Sequence, residues 1–106
     1  MLDTTPLTAA VDRFADRLRA APQSRLQRGA AAEALALARE LAVRAQRLDA
    51  PGEDPRIMPD SGVFVVADQL TVAAGDLAEA LRTTPSLVEL DEAVRSVERA
   101  AARAAL

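Results

Sequence analysis

The sequence contains neither cysteine nor histidine. Without thiols there is no disulfide framework and no thiolate nucleophile; without imidazole there is no side chain that ordinarily titrates near neutrality; and every Cys or His metal site goes with them. The ferritin-like di-metal site cannot be written either, because it needs Glu-x-x-His on two helices. Glycine is sparse, at four residues, and none sits in a phosphate-cradling loop, a G-x-S-x-G elbow or a dinucleotide fingerprint. Lysine, tryptophan and tyrosine are absent, and two phenylalanines are the only aromatics. No apolar run approaches the roughly 18 residues that a membrane-spanning helix requires. A net charge of −3 and a pI near 4.9 give no electrostatic ground for binding nucleic acid or an anionic membrane. These absences predict a protein that is not an enzyme and carries no cofactor or metal, with no nucleic-acid or membrane partner. With no basic, apolar leader in residues 1–6, the expected location is cytoplasmic.

What is present is alanine, about a quarter of the chain, together with thirteen arginines that make up all of the basic residues. That pairing points to GC-rich coding and so to a bacterial source. It also limits the core. Alanine lets helix axes approach closely but buries little apolar area, so at about 25 cal/mol per Å² each residue contributes little stabilisation. One domain over residues 1–106 is expected, and self-association would supplement its core.

Four stretches carry apolar residues at helical spacing. In the first, residues 6–21, Leu7, Val11, Phe14 and Leu18 line one face, and Thr5 before Pro6 supplies a cap. The second, residues 25–49, opens on a Ser24-x-x-Gln27 capping box; Leu26, Ala30, Ala34, Leu37, Leu41, Ala45 and Leu48 form its stripe, widened by Ala31, Leu35, Ala38 and Ala42. The third, residues 62–82, is expected to be the central helix, capped by Asp60 or Ser61 and lined by Val63, Val66, Ala67, Leu70, Ala74, Leu77 and Leu81. The fourth, residues 85–105, begins after Thr84 and carries Leu87, Leu90, Val94, Val97, Ala101 and Ala104. Short connections at 21–25 and 82–85 predict two antiparallel hairpins of neighbouring helices. Residues 50–61 hold Pro51, Gly52, Pro55 and Pro59, so no regular element runs through them; Ile57 and Met58 are expected to pack over the bundle end. The fold class is thus an all-α antiparallel four-helix bundle, built from two helical hairpins joined by a Pro-rich loop.

Residues 76–94 loosely resemble the helix-turn-helix of bacterial repressors, through Ala78, Leu81, Pro85, Ser86 and Val88. Arg82 stands at the usual turn glycine, however, and Glu89, Asp91 and Glu92 would meet phosphates, so a capped helical hairpin is the reading kept. More informative is a second seam on the third helix, outside its main stripe: Val65, Asp68, Gln69, Val72 and Asp76, with Ala32, Ala36 and Val43 outside the main stripe of the second helix. It is polar enough to stay in water and apolar enough to associate. A two-fold homodimer would set this seam against its own copy and give Asp68 an arginine from the other chain. The expected function is protein–protein interaction or self-assembly by a small non-enzymatic helical protein. The competing class is a small-molecule or ion-binding regulator that uses the bundle interior or the 50–61 loop.

Overall fold

A computed structural model describes all 106 residues. It contains α1 (Thr5–Ala20), α2 (Gln23–Arg25), α3 (Ala31–Asp49), α4 (Val66–Thr83) and α5 (Leu87–Ala104), with a π-helical turn at Leu26–Ala30 joining α2 to α3, and no strand. The joined α2–α3 unit counts as one long helix, so four helices pack against one another, as the periodicity indicates. Within the π turn Gly29 takes φ +154°, a conformation that a residue with a Cβ rarely adopts. The second helix is therefore kinked near its start and regular through its middle.

The helix bodies match the sequence pattern more closely than their ends do. At α1, Thr5 is already helical and Thr4 caps without a side-chain bond; Asp3 instead accepts from the Thr5 N–H at 3.0 Å. Hydrogen bonds from Thr5, side chain first and main chain second, hold the Asp3 carboxyl below its ordinary range. A depressed carboxyl favours the fold above its ordinary pKa, and that contribution is lost as pH falls through the lowered value. The Ser24 capping box does not form, because extended Pro22 leads directly into helix at Gln23 and leaves Ser24 inside the first turn. Neither Asp60 nor Ser61 caps α4: Asp60 Oδ1 accepts from the Gly62 N–H at 2.9 Å, Gly62 turns at φ +97°, and helix begins only at Val66. Ahead of α5, Ser86 takes the cap in place of Thr84, its Oγ accepting from the Glu89 N–H at 3.2 Å. Ser86→Ala is expected to lower stability by about 1 kcal/mol, read from chemical denaturation.

α4 buries nine residues, spread widely enough to meet two neighbours, and it shares this arrangement with the other three helices instead of standing at the centre. It packs most extensively on α3 and then on α1, while α5 packs on α3 and α1. The two helices of each hairpin thus make little contact with each other, which corrects the pairing inferred from the short connections. The reason lies in the Pro-rich connection. Arg56 N–H donates to Gln46 Oε1 at 2.7 Å, and Arg39 Nε donates to the Met58 carbonyl at 2.7 Å, so the segment travels back along the side of α3 instead of crossing the end. It delivers α4 beside the N-terminal half of α3, and α4 then runs in the same direction as α3. Ion pairs fix the other directions. Arg44–Glu89 and Arg103–Glu33 set α5 antiparallel to α3, and Arg19–Asp68 joins the end of α1 to the start of α4.

Leu7, Val11, Phe14, Leu18, Leu41, Leu70, Leu77, Leu81 and Val97 are the largest fully buried side chains. Two expected core residues lie outside. Leu87 is exposed on the first turn of α5, and Ile57 is exposed beside α3. Arg25, which sits unfavourably in a helical first turn, donates to the Ala105 carbonyl just past α5, at the negative end of that helix.

Candidate functional site

Uncovered apolar side chains include Leu87 and Val88 at the start of α5, Ile57 beside α3, and a group of three where α4 starts. Phe64 is 76% exposed, Val72 61% and Val65 37%. Half of the aromatic content of the chain is therefore in water, whereas Phe14 is fully buried. Val65, Asp68, Gln69 and Val72 line a shallow concavity of about 430 Å³ with Met58 and Ser61. Four of the six residues singled out from the sequence are thus brought together, and Asp76 follows, exposed, one turn beyond Val72. Helical spacing accounts for this grouping, since residues three, four and seven apart share a face.

Asp68 does not wait for an arginine from another chain. Arg19 Nη2 of α1 donates to its Oδ1 at 2.8 Å, and Asp16 lies 3.7 Å from the same guanidinium. Both members of the Arg19–Asp68 pair are largely exposed, so it contributes roughly 0–1 kcal/mol and directs the side chains more than it stabilises them. Gln69 donates through Nε2 to the Pro59 carbonyl at 3.0 Å, while its buried Oε1 has no partner.

The sixth residue, Val43, lies apart from these, in a groove of about 610 Å³ along α3. Ala36, Leu48 and Ile57 supply the rest of its apolar lining, and Arg39, Arg44 and Arg47 with Glu40 and Glu89 supply charge of both signs. Arg44 is already committed: it meets Glu40 at 3.0 Å, Glu89 at 2.8 Å and Glu92 at 3.3 Å, tying α3 to α5. Burial acts to lower the pKa of this guanidinium, but hydrogen bonds to Glu40 and Glu92 and the charges of Glu40 and Glu89 outweigh burial and raise it. Arg39 is held by the Met58 carbonyl through Nε alone, and Arg47 has no carboxylate within 4.0 Å. A second concavity of about 370 Å³, lined by Leu26, Ala31, Leu35 and Val63 among others, adjoins this groove through Ala36 and Arg39.

Sequence reasoning missed Phe64, Arg39 and the groove wall at Ile57. A signal for Phe64 was present, namely an aromatic directly after Gly62-Val63 in a chain nearly devoid of aromatics. Arg39 carried none, because its setting depends on the path of the distant 57–59 segment. In that segment's neighbourhood Asp49, Glu53 and Asp54 line a concavity of about 110 Å³, but no three carboxylates approach closely enough to hold a metal ion. No helix is long and apolar enough to cross a membrane. No family model, curated protein or solved structure matches the chain.

Proposed function

We propose that this protein is a non-enzymatic helical protein that works by self-assembly, forming a two-fold dimer through the outward face of α4 and part of α3. The observation that carries the reading is the exposed pair Val65 and Val72 lining one concavity with Met58, and exposed Phe64 directly before Val65 in the chain. Single exposed apolar residues are ordinary, but two valines lining one concavity, with a largely exposed aromatic next to them in the chain, are the surface pattern of an interface. A small, alanine-rich interior provides the energetic reason for it, since covering this face removes apolar area from water that the fold itself leaves exposed.

Val72→Asp tests the reading. The added carboxylate stands where the wild type offers a valine, so covering the face would require a charge to be desolvated in place of an apolar contact. Val72 is exposed in the single chain, so the helices should form normally. Sedimentation equilibrium at micromolar concentration should show a dimeric wild type and a largely monomeric variant with an unchanged circular dichroism spectrum. A monomeric wild type would remove self-assembly as the function.

A further inference from the structure

Two seams of this molecule match in spacing and are opposite in charge. On α3, Ala36, Arg39, Val43 and Arg47 follow one another at steps of three, four and four residues; on α4, Val65, Asp68, Val72 and Asp76 repeat those steps. The seams also stand at matching heights. Arg39 bonds the Met58 carbonyl and Gln69 bonds the Pro59 carbonyl, so consecutive loop residues tie Arg39 of α3 and Gln69 of α4 to one level of the bundle. Because α3 and α4 run in the same direction, each rising about 1.5 Å per residue, Val43 stands within about one residue's rise of Val72, and Arg47 of Asp76. The 57–59 segment separates the seams, with Ile57 bordering the α3 groove and Met58 the α4 patch.

We propose that in the dimer the acidic seam of α4 docks on the arginine seam of α3 of the second copy, reciprocally, about a two-fold axis parallel to these helices. The inference rests on the self-assembly reading and specifies its pairing. Such an axis exchanges the two seams without changing height. Val65 then meets Ala36, Asp68 meets Arg39, Val72 meets Val43 and Asp76 meets Arg47, each pair occurring twice. Charge decides between this arrangement and its rivals: α4 on α4 would oppose Asp68 and Asp76 with carboxylates, and α3 on α3 would oppose arginines, whereas the crossed pairing sets Asp68 and Asp76 against Arg39 and Arg47 while Glu40 and Glu89 stay with Arg44. The groups are also available. Arg39 spends only Nε within its own chain, Asp68 gives Oδ1 to Arg19 and keeps Oδ2, and neither Asp76 nor Arg47 takes part in an ion pair. Arg44, enclosed by its three glutamates, does not compete for the incoming acids.

The experiment is a charge exchange at the pair with no partners inside the chain. Asp76→Arg and Arg47→Asp, singly and together, are compared with wild type by sedimentation equilibrium at one fixed ionic strength, with circular dichroism to confirm unchanged helix content. Each single reversal should raise the dimer dissociation constant by about tenfold or more, because repulsion is introduced at two symmetry-related places. The double variant should return to within about threefold of wild type, since the pair is restored with its signs exchanged. A dimeric wild type whose double variant stays as weak as the single ones overturns this pairing and leaves self-assembly standing. Tightening by Asp76→Arg alone also overturns it, because that is the result expected of α4 packed antiparallel on α4, where position 76 faces Asp68 of the second copy. A monomeric wild type overturns the pairing together with the self-assembly reading on which it rests.

Discussion

Leu41→Ala is expected to destabilise the fold by about 2 to 5 kcal/mol, the range for truncating a fully buried leucine. Leu41 is 0% exposed at the middle of α3, the helix that packs on both α4 and α5. Its neighbours on the stripe are mainly alanines, Ala34, Ala38 and Ala45, which cannot swing into the vacated volume. The cavity therefore stays open and the cost falls towards the upper part of the range. Urea denaturation of wild type and variant gives the difference directly. A change below about 0.5 kcal/mol, the scale of ordinary surface substitutions, would mean that the observed rotation of α3 is wrong.

Arg44→Ala should cost about 1 to 3 kcal/mol by a different route. The side chain is only 21% exposed and serves three carboxylates from two helices. Removing it leaves Glu40, Glu89 and Glu92 clustered with no cation between them, so the loss combines forfeited charged hydrogen bonds with new repulsion between α3 and α5. Because that repulsion is partly screened by ions, the deficit should shrink as salt is raised. Replacing Glu89 with glutamine in the same background should recover part of it. A deficit independent of both salt and the second substitution would assign the role of Arg44 to packing of its aliphatic stem.

The contrast between these two residues shows what was legible in the sequence. Leu41 is plain from periodicity, because a wide stripe at 3.6-residue spacing has one buried side wherever the helix is placed. The carboxylates around Arg44 are only partly plain: Glu40 is a local neighbour on the same helix, but Glu89 and Glu92 depend on which helix lies alongside. Helix ends were the least legible. Serine, threonine and aspartate stand near every start, and which one caps is decided by the backbone at Pro22, Gly62 and Pro85, whose conformations the hydroxyl pattern does not encode. The α4 seam was legible as a group because its members share one face. Its arginine counterpart was not, because α3 residues that look like ordinary flanking charges become a groove only when the 57–59 segment runs beside them.

The return of that segment along α3 also determines how the chain can fold. In a bundle of simple hairpins, each pair of consecutive helices buries its own stripe, and half of the molecule can be structured before the other half arrives. Here α1 and α3 make little contact with each other, and so do α4 and α5; the buried faces are completed only across the two halves of the chain. Neither hairpin encloses a core on its own. The most extensive contact, α3 on α4, already spans the two halves and requires the long 50–65 connection to close, so loop-closure entropy is spent before packing compensates for it. A single cooperative transition in which neither hairpin persists alone is therefore expected, even though every helix in the protein is drawn from local sequence.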